Sequence, residues 1–362
     1  MNLHKVLAIE PFQITHQIHK GYASFLSCLS HPGLCKSSPS STAVFRIMNR
    51  SGHRFLDYAP LLLFFVVFAY FGAQSDKFLE VRNLVNIVAQ ASSTGIVAIG
   101  MTFVLLTAGV DLSVGAIMFV AAAVAGKMAL AGLPMPITLA AMMGVSVLFG
   151  AFNAFFITRI KVVAFIVTLS TLFIGRGLGL RITETRAMNL PDAFLQLGSA
   201  KFIGIPLPAW IFTALLIGAH LVLTRTPFGR QIFALGYDLE MAKKAGVDTN
   251  KILGAVYLIS GLCAGIAAMI TLGQLGAVSP KFGEQKEFAA IAAAVLGGTS
   301  LFGGRGNVLP GTLLGTALIQ IIENGLVITN ANPYLYPMIT SGVIFAAVLL
   351  ESIRNRSAEP SS

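Results

Sequence analysis

Charge is scarce in this sequence. Of its 362 residues, 11% are Asp, Glu, Lys or Arg, where a soluble domain carries about 25%. Less than half the usual complement cannot cover a water-facing surface, so much of the exterior must face lipid. Hydrophobic residues make up 55% of the chain and mean hydropathy is +0.79. The apolar residues fall in runs of roughly 18 to 24, the length a bilayer demands, and a soluble core would not be cut to that length. Acidic residues are the scarcer sign, 15 against 25 Lys and Arg, for a formal net charge of +10. The basic residues sit in short connections between apolar runs. That is the positive-inside pattern of a membrane protein rather than a phosphate-binding face, and it excludes nucleic acid as a partner.

Cysteine and histidine are also sparse. Of the 3 cysteines, Cys263 lies inside an apolar run and reads as a small packing residue, while Cys28 and Cys35 have no second pair at zinc spacing. Beyond residue 47 only His53 and His220 remain, too few for a histidine metal cage. There is no P-loop, no Gly-x-Ser-x-Gly and no His-Glu-x-x-His. Gly175-Arg-Gly-Leu-Gly179 looks nucleotide-like, but it lies in an apolar run with no strand before it. No catalytic residue, cofactor or metal is expected, and any energy for work must be supplied by another chain.

What is present is a series of spans. From Ala59 onward the length rule gives about ten, near 59–73, 84–107, 113–132, 136–158, 162–180, 206–224, 251–275, 288–302, 307–328 and 334–352. The expected fold is all-α, a polytopic transmembrane helical bundle. The 288–302 segment is short and rich in Ala and Gly, which suits a tilted, broken or re-entrant piece covered by protein. Residues 1–47 read as a disordered extension with the low-complexity stretch Lys36-Ser-Ser-Pro-Ser-Ser-Thr42, or as the product of a misplaced start, since Met48 opens a conventional membrane-protein N-terminus. The membrane domain runs from 48 to 356 with an internal loop at 225–250, and 357–362 form a tail.

Lys and Arg set the expected orientation. Arg46, Arg50 and Arg54 precede the first span, Arg159 and Lys161 follow the fourth, Arg225, Arg230, Lys243, Lys244 and Lys251 crowd the loop after the sixth, and Arg354 and Arg356 follow the last. With ten crossings all lie on one side, which places both termini in the cytoplasm. Arg181, Arg186 and Lys201 fall outside this rule. The 36 glycines serve close helix approach, with Gly261 and Gly265 on one small-residue face and Gly311 and Gly315 on another, either within the chain or at a dimer seam.

Ionisable groups are few inside the spans, and Asp111, Glu287, Glu323 and Glu351 are expected at span edges. A proton- or sodium-coupled carrier needs such groups at mid-membrane. Asp111 is placed to cap the helix that begins at Leu112-Ser113. Gln320, Glu323 and Asn324 make a polar patch whose hydrogen-bonding groups suit an uncharged polyol or serve interhelical bonding. Asp111, Ser113, Gln320, Glu323 and Asn324 are the candidate pathway residues.

The internal loop contains a short helix capped by Asp238 and ended by Gly246, with Glu240 and the pair Lys243 and Lys244 disposed to suit the helix dipole. Such a helix has the form of something docked into a partner.

At these residues the chain resembles the ribose-type permeases of ATP-binding-cassette sugar importers. Thr107-Ala-Gly-Val-Asp-Leu-Ser-Val-Gly115 is similar to their Gly-Gly-Ile-Asp-Leu-Ser-Val-Gly element, with Ala108 in place of the first glycine. Val295-Leu-Gly-Gly-Thr-Ser-Leu-Phe-Gly-Gly-Arg-Gly306, Asn324-Gly-Leu326 and the coupling motif Glu240-Met-Ala-Lys-Lys-Ala-Gly246 follow in the same order. The resemblance covers residues 55–353. It implies a bacterial inner-membrane permease that pairs with a second permease copy (homo- or heterodimer), a cytoplasmic ATPase, and a periplasmic or extracellular solute-binding protein. Phe228, Tyr237, Glu240, Ala242 and Gly246 would then couple to the ATPase, with Phe228 and Tyr237 as aromatic anchors. Branched-chain amino acids or nucleosides are the alternative cargo. An ion-coupled secondary carrier and a membrane enzyme acting on lipid-linked substrates are rivals of other classes. Uptake driven by a gradient alone would favour the carrier, and the enzyme lacks a base or metal cluster. Gly246→Trp is expected to leave insertion and dimerisation intact and to uncouple transport; survival of both uptake and stimulated ATP hydrolysis would remove the docking role.

Overall fold

Apolar segments that leave water must satisfy their backbone polar groups internally, and helices do so. The computed structural model describes residues 59–332 and a scatter of positions between 334 and 349. The N-terminal extension, Met48 and the tail at 357–362 lie outside the described residues. The helices are α1 (Ala59–Gln74), α2 (Val81–Leu106), α3 (Val114–Leu130), α4 (Met135–Thr158), α5 (Ala164–Thr183), α6 (Asp192–Ser199) and α7 (Leu207–Arg225). They continue as α8 (Pro227–Tyr237), α9 (Leu239–Lys244), α10 (Thr249–Leu275), α11 (Lys286–Leu296) and α12 (Leu313–Ile328). Prolines open α4, α7 and α8 in the first turn, where no N–H is required. Gly276, with φ +62°, closes α10.

Among the described residues, 6 helices are long and apolar enough to cross a membrane: α2, α4, α5, α7, α10, and α12 with the turn that precedes it. The shorter apolar helices are Leu61–Gln74 and Val114–Leu130. The segment expected at 288–302 is helical only over the 11 residues of α11. At 1.5 Å per residue that is about 17 Å, little more than half a hydrocarbon core. The stretch that follows, 297–307, is a glycine-rich loop with positive φ at Gly298, Gly303, Gly304 and Gly306. Two small ladders were not anticipated in an all-α chain. β1 (Met188–Asn189) pairs antiparallel with β4 (Ala277–Val278), and β2 (Lys201–Phe202) pairs with β3 (Ile205–Pro206).

Helices α2 and α3 are buried along most of their length, while α4, α5 and α7 turn large apolar side chains such as Leu148, Phe173 and Ile217 outward. α10 runs against both α4 and α2. Its contact with α4 is made by glycine. A Cβ on Gly261 would stand 2.7 Å from the Ser146 carbonyl oxygen and 2.9 Å from Gly150 Cα. Gly311 and Gly315 meet Gly297 and Ala293 in the same way. Both small-residue faces are therefore used within the chain. Gly261→Val is expected to destabilise the detergent-solubilised protein by about 1–3 kcal/mol, the usual cost of overpacking, read from its thermal unfolding.

Candidate functional site

The break between α2 and α3 lies inside the protein. Ala108 has φ +58°, a left-handed conformation that costs a non-glycine residue roughly 1–2 kcal/mol and explains why the related motif has glycine there. Asp111 is fully buried. Its Oδ1 accepts the Ser113 N–H at 2.9 Å and the Ser113 hydroxyl at 2.5 Å, and its Oδ2 accepts the Ser260 hydroxyl of α10 at 2.7 Å. Asn153 of α4 donates to Ser113 Oγ at 2.8 Å and accepts from Thr171 of α5 at 2.7 Å. One chain of hydrogen bonds thus ties the break to α4, α5 and α10. The Tyr257 hydroxyl is buried beside Gly109, where a Cβ would stand 2.7 Å from it.

Asp111 and Glu287 lie at element ends, and those ends are buried within the protein; Glu351 lies outside the described residues. Glu287 is buried at the start of α11 against Gly115, near Arg176 of α5. Arg176 Nη1 donates to the Phe282 carbonyl at 2.8 Å, and its guanidinium lies 5.6 Å from the centre of the Phe119 ring. Glu287 Oε2 and Arg176 Nη2 make no hydrogen bond. Gly175–Gly179 is no phosphate loop, yet it supplies the cation of this interior pair. Sequence reading missed Arg176 because its partner is more than a hundred residues away.

A cavity of about 650 Å³ opens between α2, α6, α10, α11 and α12. Gln320 and Glu323 line it, as do Asn86, Gln90, Ser93, Thr271, Gln274 and Lys286. Gln320 donates to Gln90 at 3.0 Å, the Ser93 and Thr271 hydroxyls share a hydrogen bond of 2.6 Å, and Lys286 donates to Thr94 at 2.9 Å. Asn324 is not in this wall; it exchanges two hydrogen bonds of 3.0 Å with Asn83 and fastens α12 to α2. Of the five candidate pathway residues, Gln320 and Glu323 meet at the cavity, whereas Asp111 and Ser113 belong to the buried knot. A signal for the rest was present. Asn83, Asn86, Gln90 and Ser93 recur at helical spacing in an otherwise apolar span.

The loop at 225–250 is two helices. Thr226 caps α8 by accepting the Gly229 N–H, and Asp238 caps α9 by accepting the Met241 N–H at 2.9 Å. Gly246 follows with φ +84°. Glu240 pairs with Lys243 at 2.7 Å on the exposed face. Tyr237 is 88% exposed and Met241 63%. Phe228, by contrast, is half-buried and packs partly against the protein body, and Ala242 is buried. Asp248 caps α10, and the hydrogen bond from Lys251 holds its carboxyl below the ordinary range.

The amino-acid sequence matches known proteins along most of its length. The family model of the branched-chain amino acid transport system / permease component matches residues 83–349. The ribose import permease protein of Haemophilus influenzae is 34% identical over 307 residues, covering 83% of this chain and 94% of the relative. The Bacillus subtilis ribose import permease protein is 35% identical over 303 residues, 83% and 93%. The D-allose transport system permease protein of Escherichia coli is 36% identical over 301 residues, 82% and 91%. No solved structure matches.

Asp111→Ala leaves the Ser113 N–H and the hydroxyls of Ser113 and Ser260 without their buried acceptor and is expected to lower stability by about 3 kcal/mol. Asp111→Asn keeps an acceptor oxygen and should retain more of the folded protein in a thermal melt. Equal loss in both variants would count against the knot.

Proposed function

We propose that this chain, which belongs to the family of branched-chain amino acid transport system permease components, forms the membrane pathway of a sugar importer driven by cytoplasmic ATPases. It is a transport component of the membrane and not an enzyme. The cavity wall carries the sugar reading. Amides and hydroxyls on α2, α10 and α12 can exchange hydrogen bonds with a polyol as they do with one another. Ala89, Leu195 and Leu275 add apolar surface on which the C–H faces of a sugar ring can pack. Relatives whose printed names give ribose and allose support the same cargo.

In this reading the chain makes ten passes in the inner membrane. They are α1 to α5, α7, α10, α11 with its loop, α12, and the helical positions from 338 to 349. Both termini are then cytoplasmic, and α8 and α9 face the cytoplasm, where Tyr237, Met241, Glu240 and the turn at Gly246 meet the ATPase. An external solute-binding protein delivers the sugar, and a second permease copy completes the pathway. The two oxygens of the buried Asp111 accept three donors from the break and from α10, and in this reading it acts as a fastening rather than as a coupling-ion site.

Co-purification with ATPase and binding protein, followed by a thermal-shift sugar screen on the binding protein, tests the assembly and the cargo together. In reconstituted uptake, Gln320→Leu is expected to slow sugar transport by about three- to tenfold, the worth of one hydrogen bond to an uncharged group. Glu323→Gln should stay within about twofold. A larger loss for Glu323→Gln than for Gln320→Leu would point to a charged cargo.

A further inference from the structure

Three stretches that stand out in the sequence meet at one backbone oxygen. The carbonyl of Leu106 belongs to the last turn of α2, where a helix leaves its carbonyls without intrahelical partners. It accepts the N–H of Gly304 at 3.0 Å. Gly236, near the end of α8, packs on the same oxygen so closely that a Cβ there would collide with it. That Cβ would also stand 2.6 Å from the Gly304 nitrogen. From the other side, a Cβ on Gly303 would lie 2.7 Å from the Gly236 carbonyl oxygen and 2.9 Å from the Ala108 Cβ. One on Gly304 would lie 2.9 Å from the Cα of Tyr237. Backbone rests on backbone here, with no long side chain between.

Such a contact has little give. A long side chain can change rotamer and absorb a displacement, but close-packed main chain has low compressibility and passes the displacement on. Each partner in this contact leads somewhere. Tyr237 adjoins α9 through Asp238. Leu106 continues through Ala108 to the Asp111 knot. The 297–307 loop reaches α12 at Gly297, whose Cβ would collide with the Gly311 carbonyl oxygen, and α12 carries Gln320 and Glu323 in the cavity wall.

We infer that Gly236, Gly303 and Gly304 are positioning residues of transport. They join α8, the end of α2 and the 297–307 loop into one rigid unit, which carries displacement of the docking helix to the Asp111 knot and to the cavity wall. This rests on the docking of α8 and α9 proposed above, and the test separates the two.

The protein is assembled with its ATPase and binding protein in nanodiscs or proteoliposomes, with Cys28, Cys35 and Cys263 replaced. Tyr237→Cys is cross-linked to the ATPase first. If no bond forms with cysteines placed across the membrane-facing surface of the ATPase, the docking reading fails and the inference with it. If bonds form, the joint is tested by itself. Hydrogen–deuterium exchange of the Gly304 N–H is followed in the assembled complex without ATP and with ATP trapped by vanadate. A rigid unit keeps the bond to the Leu106 carbonyl through the cycle, so the two exchange rates stay within about threefold of each other. Deprotection by about tenfold or more in one state overturns the inference, because the elements must then slide. Gly236→Ala forces the joint apart. Where the variant still co-purifies with the ATPase, uptake of labelled ribose, or of the sugar the screen selects, falls at least about tenfold while ATP hydrolysis continues; unchanged uptake also overturns it. If Gly236→Ala fails to insert, the exchange measurement decides alone.

Discussion

In a hydrocarbon solvent no hydrophobic force draws one apolar helix to another, and the association of this chain's helices depends on that constraint. Two devices answer it. Glycines bring main chains into contact, as Gly261 does with Gly150 and Gly297 with Gly311. Polar side chains bond across helices, as Asn83 does with Asn324 and Thr102 with Thr312. Both devices are short in range and specific in register, so they fix which faces of α2, α10 and α12 meet. The cavity lies where those three helices part.

The Asp111 knot uses the same constraint at its most demanding. A carboxylate inside a membrane protein is costly unless it is fully hydrogen-bonded. Here the two oxygens take three donors, from the break itself and from α10. Breaking α2 from α3 frees backbone and side-chain donors, and the carboxylate gathers them, so the break and the acid stabilise each other. The Arg176 and Glu287 pair is less completely satisfied. It stands between α5 and the start of α11, the half-helix whose loop returns to α2 and α8. Asp111 and Glu287 thus lie at irregular segments, while Arg176 approaches Glu287 from within the regular helix α5.

Much of the fold was legible because span length is set by the bilayer and apolar runs record it directly. The long helices α2, α4, α5, α7 and α10 fall close to the ranges read from the sequence. The half-length α11 was foreshadowed by its Ala and Gly content, but the burial of its first turn was not. Periodicity says which residues share a helix, and it is silent about which ends are inside. That is why the burial of Asp111 and Glu287 was not legible. The docking helix α9 was readable from its caps, Asp238 and Gly246, since capping is local chemistry. The inward turn of Phe228 depends on what α8 packs against, and no local signal carries it. Gln320 and Glu323 were found as a patch on one helix, whereas Ser93, Thr271 and Lys286 acquire meaning only when three helices are brought together.

An importer permease of this kind has no engine of its own, so the central claim is that transport depends on ATP hydrolysed by a partner. Sugar uptake into proteoliposomes containing this chain with its ATPase and binding protein tests that directly. Uptake should require internal ATP facing the ATPase and external binding protein, and should vanish when ATP is omitted under any imposed proton or sodium gradient. Uptake of comparable rate driven by such a gradient, with the chain alone in the membrane, would contradict the account.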